Sequence, residues 1–166
     1  WNSSMFIRQM LDSVICQTYS AFRVFCVDDE SEDDTISILQ EYAQKDHRIN
    51  VVKRNRLPKG APTCRNIGFD CSDGAEYVIW FDSDDVIAPY CIAQRVLFMD
   101  HHPELDYGCF KAKTFKSYPS EREGTSLYGI EYPFADDMTR MIKRRNPFGG
   151  WELIHRRSSL LKSQII

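Results

Sequence analysis

The sequence predicts an α/β fold, a mainly parallel sheet flanked by helices, and three observations carry that prediction. Helix-spaced apolar segments alternate with short strand-like ones along the chain, which is the order of right-handed βαβ crossovers. The strand-like segments are apolar on both faces, as strands covered on two sides by helices must be. Two of them run directly into aspartates, Asp28-Asp29 and Asp82-Ser83-Asp84-Asp85, and the carboxyl ends of strands are where such sheets bind ligands.

The elements follow in order. Phe6, Ile7, Met10, Leu11, Val14 and Ile15 recur at helical spacing, with Ser3 or Ser4 as the expected cap. Phe22 to Val27 reads as a strand and stops at Asp28-Asp29. Ser31 to Asp34 offer capping oxygens to a second helix whose buried face is Ile38, Leu39, Tyr42 and Ala43. Ile49 to Val52 is the next strand. A loop with Pro58 and Gly60 leads to a helix over Thr63 to Cys71, and Gly74 separates that helix from a strand over Glu76 to Phe81. Pro89 is placed as a first-turn residue of a helix reaching Met99, and Leu105 to Phe110 reads as a further strand. Residues 112 to 132, mixed in Ser, Pro, Gly and Tyr, read as a long surface loop.

Composition narrows the function. With 166 residues and 43% hydrophobic content the chain can build one core. A net charge of -3 with 27% charged residues shows neither a nucleic-acid footprint nor disorder. Six cysteines without a CxxC pair read as reduced thiols, several of them in the core, and point to a reducing, cytoplasmic setting. No stretch reaches the roughly 18 apolar residues of a spanning helix. Lys143, Arg144 and Arg145 read first as a solvated helix end, with peripheral contact to an anionic membrane surface as the alternative.

The two acidic clusters would repel one another in a single crevice without a counter-charge. Mg²⁺ or Mn²⁺ would supply it, because these cations take one or two carboxylates together with phosphate oxygens and water. Turn and capping roles are the ordinary alternative for aspartates after strands. Asp82-Ser83-Asp84-Asp85-Val86 also fits the signature of haloacid-dehalogenase-like phosphatases, with Asp82 as phosphoryl nucleophile.

Four blocks in one order decide between these readings. Gln17-Thr18-Tyr19, Val27-Asp28-Asp29-Glu30-Ser31, Arg65-Asn66-Ile67-Gly68 and Phe81-Asp82-Ser83-Asp84-Asp85 stand at intervals suited to βαβ units. Over roughly residues 1 to 110 the chain thus resembles the family 2 glycosyltransferases of GT-A fold, a Rossmann-like architecture. That resemblance implies a nucleotide-sugar-binding part over 1–110 and the start of an acceptor-side part over 111–166, within one partial domain. It implies a nucleotide-diphosphate-sugar donor, UDP-linked, and a saccharide or lipid-linked acceptor in polysaccharide biosynthesis.

Carried over by position, the resemblance makes Asp29 the base contact with Asp28 beside it, and lets Trp1 pack near the base. Arg65 and Asn66 lie on a helix lining the donor pocket. Asp82 opens the aspartate motif, Asp84 contacts donor and metal, and Asp85 contacts the metal. A later histidine, His155, is a further candidate metal ligand, and Asp136, Asp137 and Glu152 are candidate acids near an acceptor. Three departures stand out. Glu30 occupies a turn position where the family has Gly, which predicts a differently shaped loop. The family's first, central strand would precede Trp1. Trp151 to Arg157 resembles a later family strand, with the catalytic base expected beyond Ile166. The implied chemistry is inverting sugar transfer to a hydroxyl, or donor binding without turnover.

Overall fold

A computed structural model describes residues 1–110 and 153–163. The predicted alternation is present: α1 (Ile7–Ile15), β1 (Val24–Asp28), α2 (Thr35–Lys45), β2 (Ile49–Lys53), α3 (Ala61–Cys71), β3 (Tyr77–Ile79), α4 (Cys91–His101) and β4 (Tyr107–Cys109), followed by β5 (Leu153–Arg156) and α5 (Arg157–Ser163). The expected loop over 112–132 lies outside the described residues, as do Lys143, Arg144, Arg145, Asp136, Asp137 and Glu152.

The amphipathic helices build the main core. Ile7, Met10, Leu11 and Val14 of α1 meet Ile38, Leu39 and Tyr42 of α2 and Ile49 of β2. Leu11 is completely buried; a side chain of that size contributes roughly 1.5–3 kcal/mol on leaving water. The Tyr42 hydroxyl donates to Asp12 at 2.7 Å, so the one polar tip in this layer is satisfied.

Helix starts differ in detail from the sequence reading. α1 receives no side-chain cap; the Ser3 carbonyl accepts from the amides of Phe6 and Ile7, each at 2.9 Å. At α2 it is Asp33, one residue before the N-cap, whose Oδ1 accepts from the Thr35 amide at 3.0 Å while Oδ2 accepts from the Ser4 amide. The Thr35 hydroxyl, which also donates to Oδ1, and then these amides hold the Asp33 carboxyl well below the ordinary carboxylate range. Pro89 lies before α4 rather than in its first turn, and its carbonyl accepts from the Thr18 amide at 2.8 Å.

Two sheets are formed by the described strands. β1 and β2 are parallel, in register from Val24 opposite Ile49 to Asp28 opposite Lys53. β5 lies between β3 and β4 and is antiparallel to both, so β3 and β4 run parallel to each other. The inserted β5 comes from far along the chain, beyond the reach of any local periodicity.

β1 and β3 do not pair. Both line a groove of about 1140 Å³, floored by residues such as Met10, Val14, Ile92 and Ile154. The apolar residues Val24 to Val27 are half-buried along it. The chain's first residues close the groove at the carboxyl ends of both strands. The Asn2 and Ser3 amides donate to Ser31 and Thr35, which follow β1, and Ser3 Oγ lies 2.8 Å from Ser83 Oγ, which follows β3.

Candidate donor-binding site

The two acidic clusters meet on this one crevice, whose lining includes Trp1, Asp28, Asp29, Arg65, Asp82 and Asp84. Six residues from four parts of the chain, nominated by position alone, are thus brought together. Asn66 and Asp85 stand just behind that lining, Asn66 on α3 and Asp85 in the turn that closes the aspartate motif.

The first cluster is satisfied by the protein. Asp28, 5% exposed, accepts from both the amide and the hydroxyl of Ser31, the amide at 3.0 Å. Its carboxylate therefore shapes the turn after β1. The neighbouring Asp29 carboxylate takes Nε of Arg54 on Oδ1, in an ion pair shielded from solvent on both sides. Glu30 takes Nη2 of the same guanidinium at 2.7 Å. Its φ of +61° lies in the left-handed region that glycine favours, so position 30 takes a positive φ although it carries a Cβ. A residue with a Cβ adopts that conformation at a cost of about 1–2 kcal/mol.

The second cluster is left open. The Asp82 amide donates to Asp85 Oδ2 at 2.8 Å, and the Asp85 amide returns to the Asp82 carbonyl, closing a tight turn. Burial, with Asp82 and Asp84 beside it, pushes the Asp85 carboxyl up to about 6. Asp84 is exposed. Arg65 donates to Asp82 at 2.7 Å, with both side chains about 40% exposed. This is a surface ion pair, and it joins two of the candidate site residues.

At Gly68 of the Arg-Asn-Ile-Gly block a Cβ would lie 3.7 Å from Val27, an ordinary contact distance, so the packing of α3 on β1 does not itself require glycine there. Trp1 is 60% exposed and carries the Lys59 ammonium over its ring at 5.2 Å. Lys59 also reaches Glu30 at 4.0 Å. His155 sits in β5 between Trp80 and Tyr107, at ring distances of 5.3 and 5.9 Å, and burial holds its pKa below the ordinary value. Its ring is thus packed among aromatic rings, and no group of three or more metal-ligating side chains forms around it among the described residues. His101 and His102 close α4, His101 against the Leu97 carbonyl.

Sequence reasoning missed Arg54 and Arg95. Arg54 follows β2 directly, and a cation one residue beyond a strand paired with β1 was the available signal. Arg95 is 6% exposed on α4, with its guanidinium over the rings of Phe81 and Phe110, each at 5.4 Å, beneath the aspartate turn. A lone arginine among helix residues carries no such signal.

All six cysteines are free, and burial pushes the Cys26 thiol up to about 12. Among the described residues no helix is long and apolar enough to cross a membrane.

A parallel pair of strands, helices on the sheet and an acidic crevice at the strand ends make this a GT-A-type glycosyltransferase fold. The family described as glycosyl transferase family 2 matches residues 1–160, and the chain belongs to it. The uncharacterized glycosyltransferase YibD of Escherichia coli K12 is 26% identical over 99% of this chain and 48% of its own length. The poly(ribitol-phosphate) beta-glucosyltransferase of Bacillus spizizenii is 35% identical over 52% of this chain and 14% of its own. The crystal structure of S. aureus TarS 1–349 in complex with UDP-GlcNAc superposes with a TM-score of 0.73 at 25% identity, covering 99% of this chain and 45% of that one. The chain spans about half or less of the length of these relatives. Membership in this family displaces the phosphatase reading of Asp82.

Proposed function

We propose that residues 1–110 bind a UDP-linked sugar and that the parent enzyme transfers the sugar, with inversion, to an acceptor hydroxyl presented from the side that residues 111–166 begin. The observation that carries this reading is the contrast in charge within one crevice. Asp29 is compensated by Arg54, while Asp84 lines the same space exposed and Asp85, in the turn beside it, has its proton affinity raised by burial and like charge. A cation and a diphosphate are the natural complement to such a turn.

Asp84 and Asp85 fit a hard divalent cation, Mn²⁺ or Mg²⁺, because one is exposed and the other has its proton affinity raised by burial and like charge. Among the described residues no group of three or more His, Cys, Asp or Glu side chains is arranged to hold a metal by itself. A cation at Asp84 and Asp85 would need further ligands, which donor phosphates and water would supply. Bound there, it would act as a Lewis acid toward the leaving diphosphate.

The chain's own residues do the rest. Asp29 accepts an N–H of the base, and Trp1 offers an indole face beside it. Arg65, by leaving Asp82, reaches donor oxygens. A carboxylate base for the acceptor is expected outside the described residues. The acceptor is a saccharide or a lipid-linked saccharide, approached at a cytoplasmic membrane face.

A thermal-shift panel of nucleotide sugars with and without Mn²⁺ tests the reading, since binding stabilises by mass action. UDP-sugars should raise the melting temperature, and more so with Mn²⁺. Equal shifts for all nucleotides, or none, would remove it. UDP binding without sugar consumption in the full-length parent would assign donor binding without turnover.

A further inference from the structure

Arg54 is held from several directions. Its amide donates to the Asp28 carbonyl at 2.9 Å, extending the β1–β2 ladder by one residue. Its guanidinium then spends all three edges: Nε on Asp29, Nη2 on Glu30 at 2.7 Å and Nη1 on the Arg56 carbonyl at 2.8 Å. A planar fork anchored this way has one orientation, which an ammonium on the same stem would not have. Glu30 keeps its left-handed φ while gripping this fork, and through Lys59 the network continues to the Trp1 ring.

The consequence falls on Asp29. Arg54 occupies Oδ1, and among the described residues no donor is placed on Oδ2. Asp29 lines the crevice, so Oδ2 is its remaining acceptor there.

We propose that Arg54 is the positioning residue that selects the donor base, by presenting one oriented acceptor oxygen of Asp29 to the crevice. This rests on the reading of Asp29 as the base contact. A lone acceptor matches an imide N–H such as N3–H of uracil and opposes the N3 lone pair of cytosine. The same arrangement fixes what an amide would do at position 29. Arg54 would hold the amide oxygen, turning the NH₂ toward the crevice and reversing the preference toward cytosine.

The test is titration of UDP and CDP, with Mn²⁺ present, into the protein and into Asp29→Asn, Arg54→Gln, Arg54→Lys and the Asp29→Asn/Arg54→Gln double variant, each checked by thermal unfolding. Asp29→Asn should lower UDP affinity at least tenfold and bring CDP level with or above UDP. Arg54→Gln should shrink the UDP-over-CDP ratio at least fivefold, and the double variant should lose the reversal seen with Asp29→Asn alone. Arg54→Lys should recover less than half of the lost ratio.

A folded Arg54→Gln with an unchanged ratio would overturn the proposal while leaving the base reading in place. Unchanged UDP affinity in Asp29→Asn would instead bring down the base reading itself. If Arg54→Gln does not fold, Arg54→Lys decides: a reduced ratio supports the positioning role and an unchanged one overturns it.

Discussion

The turn after β1 and the turn after β3 are both acidic, both lie at the carboxyl end of a strand, and both face one crevice, yet the protein treats them oppositely. After β1, Asp28 is consumed by Ser31 and Asp29 is paired with Arg54. After β3, Asp85 accepts from a backbone amide alone among the described residues and its proton affinity is raised, while Asp84 stands exposed. Charge that the fold neutralises belongs to architecture and orientation. Charge that it leaves standing is what the proposed cation and diphosphate would complement.

Four substitutions can break or sharpen that contrast. Asp28→Ala should have the largest effect on stability, a loss of about 2 kcal/mol, because it removes the charged, buried acceptor of two partly buried donors of Ser31. Urea unfolding measures it. A loss under about 1 kcal/mol would place Asp28 with the open cluster instead.

Asp84→Ala should leave stability nearly unchanged and weaken Mn²⁺-dependent UDP binding by about tenfold to a hundredfold, the worth of one charged contact. Calorimetry with and without Mn²⁺ reads it. Equal affinity in both proteins would remove the cation from this turn.

Asp85→Asn should stabilise the metal-free protein at neutral pH by about 1 kcal/mol, once solvent screening of a partly exposed group is allowed for. The sign follows from linkage. The folded carboxyl binds its proton more tightly than the unfolded one, at about 6 against 3.8. Stability therefore falls as pH rises through that window, and the full cost is present above it. The gain from Asp85→Asn should appear above pH about 6 and vanish below about 4. Mn²⁺-dependent UDP affinity of the unaltered protein should rise over the same window, as the cation displaces the proton. A melting temperature for Asp85→Asn that tracks the unaltered protein at every pH would contradict the assignment.

Arg65→Ala should change stability least, by under about 0.5 kcal/mol, since its pair with Asp82 is largely exposed. Its effect should appear in donor affinity. A stability loss above about 1 kcal/mol would make Arg65 a structural residue.

Much of this was readable from the chain itself. The helical stripe of α1, the doubly apolar β1 and the aspartates at the ends of β1 and β3 follow from periods of 3.6 and 2 and from where a strand must stop. Those are local properties, so the α/β class and the identity of the acidic crevice were determined by sequence. The tertiary structure decided which acids are spent and which are free. Asp29 meets Arg54 and Asp82 meets Arg65 only because β2 and α3 pack beside the strand ends. It also decided that β5 enters antiparallel between β3 and β4, and that His155 packs among aromatic rings. Such pairings join residues 17 to about 80 positions apart. Their energies depend on burial and orientation that no spacing encodes, because a side chain's partner is set by the neighbouring element that folding brings to it.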